Sequence, residues 1–114
     1  MEKSTALNAF AALSQPTRLD VFRLLITRGD AGMLAGEIAQ ALDVRQNTLS
    51  ANLSVLLNAG LVRNERQGRA IRYFADTYGL RGLLGFLLQD CCGGKPEQCQ
   101  PLIEMIACEE GPCA

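Results

Sequence analysis

The sequence predicts a mostly α-helical domain carrying one small β-hairpin, and three observations predict it. Apolar residues make up 48% of the 114 residues, aromatics only 5%, and tryptophan is absent. Such an Ala/Leu-rich balance suits packed helices, not a β-sandwich. Apolar positions also recur at three- and four-residue spacing in separate stretches along the chain. Between residues 61 and 75 the period instead drops to two, around a Gln-Gly pair. At this length the chain builds one modest core, which apolar surface buried between subunits would reinforce.

Leu7, Phe10 and Ala11 place a short first helix ending near Leu13. Ser14-Gln15-Pro16-Thr17 starts the second, because proline suits a first turn, where its missing N–H costs nothing. Leu19, Phe22, Leu25 and Ile26 form the apolar face of that helix, and Thr27 to Met33, with Gly29 and Gly32, breaks it. Leu34, Ile38, Ala41 and Leu42 share one face of a third helix, about two and a half turns long. Asp43 to Gln46 is a tight connection into a fourth helix, marked by Leu49, Leu53 and Leu56 and stopped by Gly60. Two short helices joined by a turn of about four residues form a helix-turn-helix.

Leu61–Arg66 and Arg69–Ala75 then read as two strands around a Gln67-Gly68 turn, with Ile71, Tyr73 and Ala75 alternating against Ala70, Arg72 and Phe74. A last helix, Thr77 to about Asp90, carries Leu80, Leu83, Leu84, Phe86, Leu87 and Leu88. These cover more than one face, so this helix is expected to be buried on more than one side. The chain thus divides into a folded domain, residues 1–90, and a cysteine-rich acidic tail, residues 91–114, in which Leu102, Ile103 and Ile106 allow a turn or two of helix.

The net charge of −1 hides an uneven distribution. Residues 1–44 carry four basic and five acidic side chains, residues 45–75 five arginines against Glu65 alone, and residues 76–114 two basic and six acidic. A basic middle is the electrostatic footprint of a nucleic-acid partner. Met1–Phe10 is polar and no stretch has the length of a membrane span, so a cytoplasmic protein without membrane association is expected. With no histidine, Ser-His-Asp and Cys-His catalysis and every His-containing metal site are excluded.

In a helix-turn-helix the second helix enters the major groove. With its leucines buried, that helix turns Asn47, Ser50, Ala51 and Ser54 outward, with Gln46 and Thr48 at its exposed start. Asn and Gln pair with adenine edges, and Ser or Thr with bases or phosphate. Arg45, just before the helix, is placed to reach a phosphate. Alone, this is equally the pattern of a solvated helix face. The ribbon that follows adds Arg63, Arg66, Arg69 and Arg72, with its tip at Arg66-Gln67-Gly68-Arg69. So little apolar content gives a ribbon small reason to persist unless its charge meets a partner. Helix-turn-helix followed by a basic ribbon is the order of a winged helix, in which phosphate contacts supply most of the affinity.

Gln15-Pro16-Thr17-Arg18-Leu19, Gly36-Glu37-Ile38-Ala39, Gln46-Asn47-Thr48-Leu49-Ser50 and Leu56-Leu57-Asn58-Ala59-Gly60-Leu61-Val62 resemble, in order and spacing, the pattern of the ArsR/SmtB repressors over residues 7–90. The resemblance implies a homodimer through the first and last helices, a double-stranded operator and a metal or metalloid effector. Relatives often carry histidines on the recognition helix where this chain has Ala51 and Asn52, so their operators do not transfer. Some relatives sense metals through a Cys-x-Cys pair at the start of the third helix. Those positions are Leu34 and Gly36 here, which cannot ligate. Others use histidines on the last helix, and this chain has none.

All five cysteines fall between residues 91 and 113, where chance would place about one. Cys91 and Cys92 follow the last helix, and the turn-rich Gly93–Gln98 segment can fold Cys99 back onto them. Three thiolates without nitrogen or oxygen ligands suit a soft ion, and trivalent arsenic, as arsenite, or antimony, as antimonite, fits best. The trio is similar to the C-terminal site of some arsenite-responsive family members. Alternatives stay open. An idle tail is one; four thiolates can also hold zinc or cadmium, although Cys-x-x-Cys spacing is lacking, and Cys108 or Cys113 can serve redox sensing. A thiol-dependent reductase is a different class, but the chain lacks a phosphate-type anion loop, a Cys-x-x-Cys motif and a histidine base. A protein-interaction module that uses the helix-turn-helix shape without DNA is a third.

Overall fold

The computed structural model describes residues 1–88. Five helices, α1 (Lys3–Leu13), α2 (Pro16–Arg28), α3 (Ala35–Leu42), α4 (Gln46–Asn58) and α5 (Thr77–Leu88), are joined with three strands, β1 (Met33–Leu34), β2 (Val62–Gln67) and β3 (Ala70–Ala75). A 3₁₀ turn, Gly29–Ala31, links α2 to β1. The antiparallel sheet has the order β1-β3-β2. The architecture is a winged helix-turn-helix.

The core forms where α2, α3 and α4 meet, with Val21, Leu25, Ile38, Leu49, Leu53, Leu56 and Leu61 almost wholly enclosed. The two ends of the helix-turn-helix are built alike. After α3, Asp43 takes the left-handed conformation (φ 53°), with Asp43 N–H donating to the Gln40 carbonyl and Val44 N–H to that of Ala39. After α4, Gly60 (φ 76°) does the same, with Gly60 N–H on Leu57 and Leu61 N–H on Leu56. Both are Schellman ends, which satisfy the carbonyls a helix otherwise leaves open.

Three details differ from the sequence expectation. The wing has three strands, not two: Met33 pairs with Tyr73 and Leu34 with Arg72. A two-residue strand is too short to show a period. It is permitted by the bare backbone of Gly32 (φ 61°), where a Cβ would sit 2.6 Å from the Phe74 ring and the Tyr73 carbonyl. The wing is also anchored by its own packing, with Val62 and Phe74 buried. The hairpin turn is Gly68-Arg69, one residue later than expected, since Gln67 pairs with Ala70. A positive φ at Gly68 and not at Arg69 is the pattern of a type II′ turn.

The third difference lies in α1, which begins at Lys3 and buries Ala6, Ala9 and Ala12 while Leu7 and Phe10 face outward. Small alanines let α1 lie close on its neighbours, so its large residues turn away. In α2 the inward face is Val21, Phe22 and Leu25, with Leu19 and Ile26 exposed.

Within the single chain, α5 leaves part of its apolar surface open. Asp76 precedes it and caps it, its carboxylate accepting the Gly79 N–H at 3.1 Å. Leu83 is its fully buried residue, whereas Leu84 (48%) and Leu87 (49%) are exposed. The expected end of this helix near Asp90, and the division at residues 90/91, lie outside the described residues. Among the described residues no helix is long and apolar enough to cross a membrane.

Candidate nucleic-acid interface

Leu49, Leu53 and Leu56 pin α4 to the core, and that anchorage decides which residues remain outside. Gln46, Asn47, Thr48, Ser50, Ala51 and Ser54 are all exposed, as is Arg45 before them. Arg45 is extended (φ −69°, ψ 147°) and makes no side-chain cap, and the first turn of α4 contains no acidic residue. Asn47 Oδ1 accepts the Thr48 N–H at 2.9 Å. The positive end of the helix dipole thus carries neither an N-cap side chain nor an acidic residue, an arrangement that favours a phosphate oxygen.

The four wing arginines separate into two kinds. Arg63 lies over the Phe74 ring, 4.2 Å from its centroid, and 3.5 Å from the Glu65 carboxylate. Arg72 is half-buried and donates to Gln67 Oε1 (3.0 Å) and to the Ala31 carbonyl (3.2 Å), with Glu37 4.0 Å away. It therefore ties the wing to the 3₁₀ turn and to α3. Glu37 in turn accepts the Leu34 N–H (2.8 Å), which caps α3. Arg66 and Arg69 are exposed at the tip, Arg66 beside the Gly68 carbonyl at 3.4 Å. Strand alternation sets Arg63 and Arg72 on one face of the wing and Arg66 on the other.

Two residues that shape this surface carry no prediction from the sequence. Asn52 sits in the middle of α4 and is 7% exposed, the one buried polar residue among those described. Its Oδ1 accepts from Arg18 Nη1 at 3.2 Å, and Arg18 Nε donates to the Ala12 carbonyl at 2.6 Å. Gln15 caps α2 by accepting the Arg18 N–H (2.8 Å), with Pro16 in the first turn. The Gln-Pro-Thr-Arg stretch therefore aims one guanidinium at α4. The signal for Asn52 was present, because 49, 52, 53 and 56 share one helical face.

The expected thiolate ligands Cys91, Cys92 and Cys99, like Cys108 and Cys113, lie outside the described residues. Leu34 and Gly36 open α3 with nothing that ligates, and no group of three or more Cys, Asp or Glu side chains among the described residues could hold a metal ion.

A helix-turn-helix that presents a polar, acid-free helix start and is followed by a cationic β-wing defines a winged-helix DNA-binding protein. Comparison with known proteins agrees. Residues 13–65 match the family model described as a helix-turn-helix domain. The chain is 33% identical over 81 residues to the transcriptional repressor SdpR of Bacillus subtilis, a match covering 71% of this chain and 87% of SdpR. An ArsR-like transcriptional regulator from Rhodococcus sp. RHA1 is 30% identical and superposes with a TM-score of 0.67, over 91% of this chain and 93% of that one. A possible ArsR-family regulator from Mycobacterium bovis, described as a homodimeric winged helix-turn-helix DNA-binding domain, is 27% identical with a TM-score of 0.61, over 76% and 80%. The chain belongs to the ArsR family of winged helix-turn-helix transcriptional regulators. It is a DNA-binding regulator and not an enzyme, which sets aside the reductase reading.

Proposed function

We propose that the protein is a homodimeric repressor that binds a roughly twofold-symmetric operator through α4 and the wing, and that trivalent arsenic or antimony bound by Cys91, Cys92 and Cys99 releases it. The observation that carries the DNA-binding half is that the same domain exposes both the acid-free, polar start of α4 and, at the wing tip, Arg66 and Arg69. Arg45, Gln46, Asn47, Thr48, Ser50 and Ser54 supply base and phosphate contacts, and Arg72 holds the wing at its angle.

Dimerisation is supported by Leu7 and Phe10 on α1 and Leu84 and Leu87 on α5, exposed on two helices that touch. It is supported too by the homodimeric Mycobacterium bovis relative. Repression follows the resemblance to SdpR.

The effector half rests on donor chemistry. Three thiolates without nitrogen or oxygen match a soft trivalent ion, and they follow directly on a helix that carries dimer-face residues. Binding there releases thiol protons and can alter how the subunits meet. A coupling of about 2.7 kcal/mol weakens DNA binding a hundredfold.

The test is a titration of the protein on a duplex it has selected from a random pool, under reducing conditions, with arsenite, antimonite, cadmium, zinc and peroxide in turn. Arsenite and antimonite are expected to release wild-type protein but not Cys91→Ser, Cys92→Ser or Cys99→Ser. Normal release of those variants by arsenite would discard the thiolate trio.

A further inference from the structure

We propose that Arg18 is a positioning residue for DNA recognition: one guanidinium ties the C-terminal end of α1 to the buried side of α4, so that a displacement of α1 is handed to the reading helix. The inference rests on the DNA-binding dimer proposed above.

The geometry is built from both ends. At one end, Ala12 contributes a carbonyl from the last turn of α1, a group with no partner inside its own helix, and Arg18 Nε meets it at 2.6 Å. At the other end, Arg18 Nη1 meets Asn52 Oδ1 at 3.2 Å, across 34 residues of sequence. The arginine itself is held in the first turn of α2 by the Gln15 cap and Pro16. A planar, forked donor can span two acceptors in this way, whereas an ammonium reaches one at a time.

Two further features make the tie consequential. Among its fully buried residues α1 has only alanines (Ala6, Ala9 and Ala12), so the apolar grip of its own domain on it is small. Its large side chains, Leu7 and Phe10, face outward to where the second subunit would lie. Within its own domain α1 is thus held by three small buried side chains and Leu13 at its end, with a charged hydrogen-bond pair linking it to α4. On α4, Asn52 lies between Ser50-Ala51 and Ser54 of the exposed face, so a shift at Asn52 moves the side chains presented to the groove.

The experiment compares full-length wild type with Arg18→Met, Arg18→Lys, Asn52→Ala and the double variant Arg18→Met/Asn52→Ala. Each is measured by fluorescence anisotropy on a duplex selected by the wild type and on a scrambled duplex of equal length, at several KCl concentrations, with thermal unfolding recorded in parallel. Each single variant is expected to lose about tenfold affinity for the selected duplex. The scrambled duplex and the salt slope should be unchanged, and the double variant no worse than a single one. Arg18→Lys, which keeps the charge but cannot span both acceptors, should show the same loss and serves if Arg18→Met does not fold.

Additive losses would overturn the proposal, as would selected-duplex affinity that stays at the wild-type level, whether or not the melting temperature falls. A salt slope shallower by about 1.8, one phosphate lost per subunit of the dimer, would make Arg18 a phosphate contact instead. Wild-type protein that selects no duplex would overturn the DNA-binding reading itself, and this proposal with it.

Discussion

Arg66→Ala combined with Arg69→Ala removes the two exposed cations at the wing tip and leaves the arginines that are engaged elsewhere in the fold. Arg63 stacks on Phe74 and pairs with Glu65, and Arg72 bonds Gln67 and Ala31, so neither is counted. If each tip cation meets one phosphate, a dimer neutralises four fewer phosphates after the change. Each is worth about 0.9 in the slope of log affinity against log salt, so the slope should become shallower by about 3.6. Between about 50 and 200 mM KCl, wild type should then lose roughly 150-fold more affinity than the variant. Anisotropy titrations on the selected duplex measure this directly, with Arg63→Ala as comparator, expected to change the slope by less than about 0.5. An unchanged slope in the double variant, or an equal change from Arg63→Ala, would refute the division of the wing into cations engaged with the body of the fold and cations exposed at the tip.

Three other outcomes follow from packing and backbone. At Gly79 an added Cβ would run into the Gly60 carbonyl, so Gly79→Ala forces α5 off the end of α4. It should cost about 3 kcal/mol and lower the calorimetric melting temperature by on the order of 10–20 °C, and an unchanged transition would contradict the close approach. Asp43 holds φ 53° at the end of α3, so Asp43→Gly should gain up to about 1 kcal/mol in urea unfolding and Asp43→Val lose about 1–2 kcal/mol. Leu84→Glu with Leu87→Glu places charges on the exposed face of α5. Sedimentation should then report a monomer whose circular dichroism is that of wild type, and a persistent dimer would put the interface elsewhere.

Much of the fold is legible in the sequence because it rests on local chemistry. The leucines at 49, 53 and 56 define the inner face of α4, and Gly60 and Pro16 punctuate the helices through backbone constraints that act within a few residues. The outward position of Asn47, Ser50 and Ser54 follows from the same periodicity, so the exposed face of α4 is readable from residue spacing alone. Even Asn52 falls on the buried face by its spacing, although its partner does not announce itself.

What residue order could not show is which element lies against which. Whether α1 buries its leucine or its alanines depends on how closely α2 and α4 approach it. The third strand exists only because β3 offers an edge to Met33 and Leu34. The four wing arginines are identical in chemistry, and only their neighbours separate Arg63 and Arg72 from Arg66 and Arg69. By itself the sequence determined a helix-turn-helix with a basic wing and a cluster of thiols, because periodicity, breakers and composition act through short-range forces. Tertiary structure alone decided the linkage of Arg18 to Asn52 and the sorting of the cations, because hydrogen bonds across 34 residues are set by how the helices pack.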